Sequence, residues 1–449
     1  MRPLEIILTL LLAARLAWPW FAPASAWMHR LALLGVAAAI LQLTVEKYRW
    51  QLLPLYLLAL LLGILALFAL RSGNPPPRLP WTLLGGLLLI AGAALAALLP
   101  VPTLPKPTGP YAIGTRIVEL RDPARSMQYG PQPDAPRRFM VQVWYPATEI
   151  PAGAQPAPWM PHVDLLGPAI AQWLGLPSFA LDHLNLSRTH AYTDAPPAEG
   201  PFPVLLFSHG WGGFRAQNTF QMEELASHGY VVIGFDHTYG AVGVVFPDGT
   251  LAAHDPEALP GDARDTRLVQ QWADDMRFVL DQLGKGALDG LPVDLGRVGV
   301  LGHSTGGGAA VEFCHAEPRC AAVLGMDTYM SPVSDVARTE GFAAPYLAMF
   351  SQAWPKEKNN RLFAELRTAL SGPLYEVHIQ GTAHYDFTDL PAFSPLAPRI
   401  GLKGPLNGAR VQEIVRAYSV AFFDQVFKGQ PSPLLDGPSP RYPEVQWRP

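Results

Sequence analysis

The sequence predicts an α/β domain with a mostly parallel, doubly wound sheet, preceded by an all-α transmembrane region. Apolar residues make up 49% of the 449 residues and charged residues only 16%, and the apolar excess lies at the front of the chain. Further along, short apolar runs alternate with segments of helical spacing. A proline-rich segment at 100–110 separates the two parts. We therefore expect a membrane region at 1–102 and a second domain at 103–449.

Four apolar stretches precede the proline-rich segment. They are Ile6–Phe21, Leu31–Val45, Gln51–Leu70 and Trp81–Leu99. The last two are long enough to cross a hydrocarbon layer of about 30 Å, whereas Arg15 and Pro19 shorten the first. Aromatic residues at the edges of the stretches are typical of interfacial anchors. We expect three or four transmembrane helices.

The first 26 residues also have the order of a secretory signal: Arg2, an apolar core, then Ala-Ser-Ala at 24–26. Three further apolar stretches follow, so cleavage would still leave the protein in the membrane. An uncleaved first span is the favoured interpretation. A cleaved signal or an interfacial helix is the alternative.

Two opposing signals bear on the side of the membrane that the second domain faces. With four spans, six lysine and arginine residues lie on the face shared with the second domain and three on the other, which favours the cytoplasm. Cys314 and Cys320 are a plausible disulfide, which favours an oxidising compartment, although two buried thiols are an equal alternative. We expect a multi-pass protein of a bacterial inner membrane with the second domain in the periplasm, which requires three crossings or an outside start.

The second domain alternates predicted strands and helices. The strands are Val141–Tyr145, Val204–Phe207, Val231–Phe235, Val298–Leu301, Ala321–Gly325, Tyr346–Phe350 and Tyr375–Ile379. Apolar spacing predicts one helix over 268–283 and a C-terminal helix over 411–426, closed by Gly429. Such alternation predicts a parallel sheet with helices on both faces.

Residues 297–306 join an apolar run to the sequence Gly-His-Ser-Thr-Gly, and a helix start of small residues follows. This is the pattern of the nucleophile elbow of α/β-hydrolases, a strained strand-to-helix turn that exposes one serine hydroxyl. Gly302 and Gly306 fit because the turn packs strand against helix with no room for a Cβ atom. The pattern predicts that Ser304 attacks an acyl carbon.

A serine nucleophile needs a base to take its proton and an acid to hold that base. In this fold the acid and then the histidine follow the serine along the chain, each in a loop after a strand. Asp327 follows the strand at 321–325, and His384 lies in the loop after 375–379. Each residue alone is typical of a turn or a solvated loop. Their order behind the elbow favours a triad.

The oxyanion of such a reaction needs two backbone N–H donors. Thr305 follows the nucleophile, and a glycine-rich loop at 208–215 follows an earlier strand. We assign the donors to Thr305 and Trp211; a simple glycine turn is the alternative for the loop. His209 and His237 are expected to support the loop rather than to act as bases.

Six short motifs follow one another in the order of a known family. They lie at 109–114, 143–147, 207–215, 302–307, 326–332 and 381–388. Together they resemble the plasma-type platelet-activating-factor acetylhydrolase family of α/β-hydrolases over about residues 105–430, without the apolar front. The resemblance implies a triad of Ser304, Asp327 and His384, oxyanion donors Trp211 and Thr305, and no metal. It also implies hydrolysis of short acyl chains, such as the sn-2 acetyl group of an ether phospholipid.

Two departures from the family bear on acyl preference. Thr305 stands where an aromatic residue is often found, and Trp211 replaces a smaller aliphatic one.

Residues 151–200 lie outside the regular alternation of strands and helices and are expected to form a cap-like insertion. Four apolar side chains there share a helical face: Leu166, Ile170, Trp173 and Leu174. We expect a cap over the site that touches lipid; a helix packed on the domain is the alternative.

The sequence therefore predicts a membrane-anchored serine carboxylic-ester hydrolase, with an ester or phospholipid substrate and the lipid bilayer as partners. One alternative is an acyltransferase that uses the same acyl-enzyme. The other is a catalytically inactive membrane scaffold, and the complete triad argues against this scaffold. No cofactor is expected. The two cysteines lack zinc-ligand spacing, and a net charge of −4 without a basic run gives no indication of nucleic-acid binding.

Overall fold

The computed structural model describes residues 1–21, 25–72, 78–258, 266–286, 288, 290–354, 356–399 and 401–448. The chain divides into two compact units. The first comprises Met1–Pro102, Asp182–Ser187 and Phe393–Leu396. The second comprises Thr103–Leu181, Arg188–Ala392 and Ala397–Pro449.

In its described residues, the first unit contains four apolar helices. They are α1 (Pro3–Phe21), α2 (Ala26–Val45), α3 (Leu53–Ser72) and α4 (Arg78–Leu98). In the described part, three helical segments are long and apolar enough to cross a membrane, and Thr82–Leu98 is a shorter apolar segment. The expected shortening of the first stretch is wrong, because α1 continues past Arg15 and Pro19. Pro19 lies in the last turn, where its missing N–H removes one helical hydrogen bond.

Two buried charged side chains of the first unit pair with each other. Glu5 in α1 and Arg49, just before α3, are both fully buried, and their side chains meet at 2.6 Å. Arg49 also donates a hydrogen bond to the carbonyl of Leu99 at 2.9 Å. A buried charge is tolerated when it is paired and hydrogen bonded. Through these contacts the start of α1 is connected to Arg49 before α3 and to Leu99 after α4.

The second unit is organised around a large mixed sheet. Its strands are β1 (Ala112–Ser126), β2 (Pro136–Ala147), β3 (Pro156–Pro158), β4 (Arg188–Thr193), β5 (Phe202–Ser208), β6 (Val231–Asp236), β7 (Gly243–Val245), β8 (Leu251–Ala253), β9 (Val293–His303), β10 (Cys320–Met326), β11 (Tyr346–Ser351), β12 (Leu374–Ile379) and β13 (Val445–Trp447). Its helices are α5 (Val163–Trp173), α6 (Thr219–Ser227), α7 (Arg267–Gly284), α8 (Thr305–Ala316), α9 (Asp335–Glu340), α10 (Glu357–Ala369) and α11 (Gly408–Lys428).

The order of the strands is β13-β12-β11-β10-β9-β5-β6-β2-β1-β4-β3, and β7 pairs with β8 in a separate hairpin. Strands β6, β5, β9, β10, β11 and β12 are parallel to one another, whereas β2 is antiparallel to both of its neighbours. The carboxyl ends of the six parallel strands therefore meet at one edge of the sheet, where ligands bind in open α/β sheets.

The predicted elements are confirmed in type and place. Each of the seven predicted strands lies within an observed strand, and the two predicted helices lie within α7 and α11. Gly429 ends α11 in the left-handed conformation, with φ of 63°. The long strand β1 was missed because it is only half-buried, and charged residues interrupt its apolar pattern.

The segment 151–200 does not lie wholly outside the sheet. It contains α5, but its strands β3 and β4 extend the main sheet beside β1. The predicted apolar face of α5 is divided, since Leu166 is buried whereas Trp173 is 61% exposed. Leu166 packs close to Gly243, at which an added Cβ atom would lie 2.9 Å from a Leu166 methyl group.

A disulfide joins Cys314 near the end of α8 to Cys320 at the start of β10, with a Cα–Cα distance of 5.2 Å. Spacing alone had left a bonded pair and two buried thiols as equal interpretations. The fold favours the bond because the chain turns back between α8 and β10 and brings the two Cβ atoms together.

Candidate active site

Ser304 occupies a strained turn between β9 and α8. Its φ of 54° and ψ of −119° are unusual for a residue other than glycine. The flanking glycines leave the necessary room: a Cβ atom on Gly302 would lie 2.2 Å from the Gly306 carbonyl oxygen, and one on Gly306 would lie 2.1 Å from the Ser208 carbonyl oxygen. The Ser304 N–H donates to the Met326 carbonyl at 2.9 Å, which fixes the turn beside the end of β10.

Asp327 and His384 form the hydrogen-bonded pair expected from the sequence. Asp327 directly follows β10, and its Oδ2 atom lies 3.0 Å from Nδ1 of His384 in the loop after β12. Ser351, the last residue of β11, donates its N–H to Oδ1 of Asp327 at 2.7 Å and its hydroxyl to Oδ2 at 2.6 Å. Because a carboxylate can only accept, Nδ1 of His384 carries the proton and Nε2 keeps its lone pair.

Ser304 directly follows a residue that contacts this pair. The ring of His303, its neighbour in the chain, lies 4.4 Å from the His384 ring. The hydrogen bonds of the described residues do not include one between Ser304 Oγ and His384. Such bonds often tighten only in the complex with substrate. Ser304 is 9% exposed, and the His384 side chain, at 21% exposed, is the more accessible of the two. We call Ser304, His384 and Asp327 the open set.

Burial and hydrogen bonds set the charge state of the open set. Burial lowers the pKa of the His384 imidazole, so the ring is neutral at pH 7. Burial also raises the pKa of the Asp327 carboxyl, and the two hydrogen bonds from Ser351 oppose that rise. Three donors converge on this carboxylate, which favours its ionised form. A neutral imidazole held by a carboxylate is the state that can take a proton from serine.

The loop that carries Trp211 lies beside the serine. A Cβ atom on Gly210 would be 3.3 Å from Cβ of Ser304. In this part of the described chain, hydrogen bonds occupy the N–H groups of Gly212 and Gly213 but not that of Trp211. Thr305 is the first residue of α8, where a helix offers its N–H group no internal acceptor. Both assigned donors are therefore in positions from which they can bind an external oxygen.

Two contacts of the open set were missed by the sequence analysis. Ser351 donates two hydrogen bonds to Asp327, and it could have been found because it directly follows a predicted strand at the same edge of the sheet. The indole ring of Trp354 stacks on the His384 ring, with centroids 4.1 Å apart and an interplanar angle of 10°. No local pattern indicates this contact, because it joins two separate loops.

A second group of serine, histidine and aspartate lies one strand away. Ser208 ends β5, and its hydroxyl is 3.0 Å from Nε2 of His237; Nδ1 of His237 is 2.9 Å from Oδ2 of Asp275. All three residues are buried, and Arg137 binds Asp275 through Nε at 3.0 Å. Burial lowers the pKa of His237 to about 4. We call Ser208, His237 and Asp275 the buried set.

His209 supports the same loop, in agreement with its expected role. Its Nδ1 atom lies 2.7 Å from the carbonyl oxygen of Gly210, and its Nε2 atom accepts a hydrogen bond from the N–H of His237 at 3.3 Å. The ring is fully buried and its pKa lies well below the usual value, because burial disfavours the charged form. Neither His209 nor His237 contacts the open set through a hydrogen bond in the part of the chain that the structure describes.

The strand order and the conformation of Ser304 define the class of this protein: it is an α/β-hydrolase. Within that class the chain belongs to the family described as platelet-activating factor acetylhydrolase, isoform II, which matches residues 98–246 and 275–430. The family resemblance predicted from the sequence motifs is confirmed, and the chain is a hydrolase. Across the described residues, no group of three or more His, Cys, Asp or Glu side chains could hold a metal ion.

Relatives and a solved structure support this assignment. The chain is 27% identical over 390 residues to a probable 1-alkyl-2-acetylglycerophosphocholine esterase of Arthroderma benhamiae, covering 80% of this chain and 96% of the relative. It is 22% identical to the platelet-activating factor acetylhydrolase of Cavia porcellus, over 72% of this chain and 78% of that protein. A ferulic acid esterase structure from Streptomyces cinnamoneus matches with a TM-score of 0.67 and 31% identity, covering 78% of this chain and all of that one.

Proposed function

We propose that this chain is a membrane-anchored serine carboxylic-ester hydrolase that cleaves short acyl chains from phospholipids or related small esters. The observation that carries the proposal is the strained conformation of Ser304 beside the hydrogen-bonded pair of His384 and Asp327. A backbone φ of 54° at a serine costs free energy, and such strain persists where it serves a site.

The open set can perform acyl transfer in two steps. Nε2 of His384 takes the proton of the Ser304 hydroxyl as Oγ bonds to the ester carbonyl carbon. The resulting oxyanion accepts hydrogen bonds from the N–H groups of Thr305 and Trp211. His384 then gives its proton to the departing alcohol, which leaves an acyl-enzyme. Water, deprotonated by the same imidazole, attacks that acyl carbon; the acid is released and Ser304 recovers its proton.

The apolar surface of α5 supports an amphiphilic ester as substrate. The ring of Trp173 lies 5.9 Å from that of Tyr385, the residue after His384, so the end of α5 is next to the base. Leu165, Leu176 and Phe179 are also exposed in this segment. Such a surface suits contact with lipid or with the apolar part of an ester. The relatives named for 1-alkyl-2-acetylglycerophosphocholine and platelet-activating factor support a short acyl group on a phospholipid.

The location that we propose is the outer side of a bacterial inner membrane. Three helical segments long and apolar enough to cross a membrane supply the anchor. The disulfide between Cys314 and Cys320 supports an oxidising compartment, because cytoplasmic reductants keep such pairs reduced.

A membrane-impermeant fluorophosphonate probe tests nucleophile and location together. We expect it to label the full-length protein in intact spheroplasts as strongly as in lysate, and Ser304→Ala to remove the label in both. Labelling in lysate alone would place the catalytic unit in the cytoplasm, and absence of the label from both samples would reject an activated serine.

Product analysis of a phospholipid ester, with an added lipid alcohol, separates hydrolysis from acyl transfer: free acid supports the proposal, and a new ester supports a transferase.

A further inference from the structure

Two buried side chains connect the loop of the proposed oxyanion donor to the loop of the proposed base. Oε1 of Gln217 accepts a hydrogen bond from the N–H of Gly210 at 3.3 Å, and Nε2 of Gln217 lies 3.1 Å from Nδ1 of His303. On the other side of its ring, Nε2 of His303 lies 3.0 Å from the carbonyl oxygen of His384. A single chain of hydrogen bonds thus runs from Gly210 to His384.

The donors and acceptors in this chain can be assigned. Gln217 must present its oxygen to the N–H of Gly210, and its Nε2 group donates to Oδ1 of Asn218 at 3.1 Å. The reversed amide would set donor against donor at Gly210 and acceptor against acceptor at Asn218. Nδ1 of His303 is therefore an acceptor, and its Nε2–H donates to the carbonyl of His384.

Close packing leaves the two side chains little freedom. His303 is 1% exposed and Gln217 9%. A Cβ atom on Gly210 would lie 3.1 Å from Nδ1 of His303, and one on Gly213 would lie 2.1 Å from Oε1 of Gln217. Glycine at both positions therefore makes room for the bridge. Side chains locked in this way hold their partners in one geometry, which acyl transfer requires.

We propose that His303 and Gln217 are positioning residues that fix the main chain of His384 and of Gly210 relative to each other. Through them the imidazole base and the N–H of Trp211, next to Gly210, are aligned on Ser304. The inference rests on the proposed function, since it assigns how that site is held. It gives a role to the variable residue between Gly302 and Ser304 in the elbow motif.

The charge state of the bridge depends on its surroundings. Burial, with a smaller contribution from the nearby His384, lowers the pKa of His303 to about 3, so the ring is neutral. The titratable groups that face the bridge come from three loops: Asp327 after β10, His209 after β5, and His384, Tyr385 and Asp389 after β12. Gln217 itself carries no charge. A carboxylate in its place would meet the lone pair of His303 Nδ1, and only an added proton could restore the hydrogen bond.

Gln217→Glu provides the test, in the full-length protein with p-nitrophenyl acetate. At pH 6 the variant can hold a proton between Glu and His303, and we expect kcat within about threefold of wild type. At pH 9 the proton is lost, and we expect kcat lower by about tenfold or more with KM changed less than about twofold. Gln271→Glu is the matched control: this buried glutamine donates to the carbonyl groups of Ser126 and Met127. Its kcat ratio to wild type should not change between pH 6 and pH 9.

A Gln217→Glu ratio that stays constant from pH 6 to pH 9 would overturn the inference. If that variant does not fold, His303→Gln and His303→Asn decide. The glutamine amide reaches the position of the imidazole Nε2 and keeps the donor to His384, whereas asparagine reaches only Nδ1. We expect kcat of His303→Gln to exceed that of His303→Asn by about tenfold; equal values would contradict the proposal. Wild-type protein that fluorophosphonate does not label at Ser304 would instead reject the proposed function.

Discussion

The open set and the buried set contain the same three residue types, and their serines lie at the ends of the neighbouring strands β9 and β5, yet the two sets differ in backbone strain, in exposure and in the groups that bind the acid. Ser208 is the register partner of Gly302 and has an ordinary backbone conformation, whereas Ser304 has a φ of 54°. The hydroxyl of Ser208 is hydrogen bonded to its histidine at 3.0 Å, whereas that of Ser304 is not. The His237 side chain is fully buried, and that of His384 is 21% exposed.

The aspartates of the two sets differ in the charge of the groups that bind them. Asp275 binds the guanidinium groups of Arg137 and Arg125, so its charge is neutralised by fixed cations. Asp327 has neutral donors only, from Ser351 and His384, in the part of the chain described. Its charge is available to an imidazolium that forms during reaction. Exposure of the histidine, backbone strain at the serine and an acid without a cationic partner distinguish the open set from the buried set.

Removing the two serine hydroxyls should give the largest contrast. Ser304→Ala should lower kcat for p-nitrophenyl acetate by about 10³- to 10⁶-fold with the thermal transition unchanged. Ser208→Ala should leave kcat within about fivefold but lower the free energy of unfolding by about 1–3 kcal/mol, because it leaves Nε2 of His237 buried without a partner. Equal activity losses in the two variants would contradict the distinction.

Substitution of the two aspartates should likewise affect activity in the open set and stability in the buried set. Asp327→Asn should lower kcat by about 10³- to 10⁴-fold while folding is retained, since an amide can still occupy the site but favours the wrong imidazole tautomer. Asp275→Asn should cost about 3–5 kcal/mol of stability, because buried arginine charge loses its partner. Urea unfolding measures the stability of both variants, and steady-state kinetics measures their kcat. A large loss of stability in Asp327→Asn would show that Asp327 also has a structural role.

The sequence was informative about the open set and uninformative about the buried one, for a physical reason. Strand patterns and the position of a residue after a strand are local, so the places of Ser304, Asp327 and His384 followed from nearby residues. The partner of His237 is Asp275 on α7, and the partner of His303 is Gln217 before α6; no local pattern joins them. Such contacts depend on how distant segments pack.

Between pH 8 and pH 4 the buried set should make stability depend on pH, whereas the open set should leave the rate nearly unchanged down to pH 6. The pKa of His237 is about 4 in the folded protein and about 6.5 when unfolded, so below pH 6.5 the unfolded state binds the proton more tightly. Its contribution, about 3 kcal/mol, is complete above pH 6.5 and is lost as the pH falls to 4.

For the open set, the lowered pKa of His384 keeps its imidazole neutral, so kcat/KM per folded molecule at pH 6 should stay near its pH 8 value. A halving of kcat/KM at pH 6.5 without unfolding would contradict this.

The smallest effect is expected from the rings that stack on the two histidines. The ring of His237 is parallel within 6° to those of Phe235 and Trp272, and its side chain is fully buried. Among the described residues, His384 has one such parallel partner, Trp354, and its side chain is 21% exposed. Trp354→Leu should keep the hydrogen bond to Asp327 but loosen the ring, lowering kcat by about three- to tenfold with KM nearly unchanged. A loss as large as that of Asp327→Asn would mean that stacking, rather than the carboxylate, sets the orientation of the base.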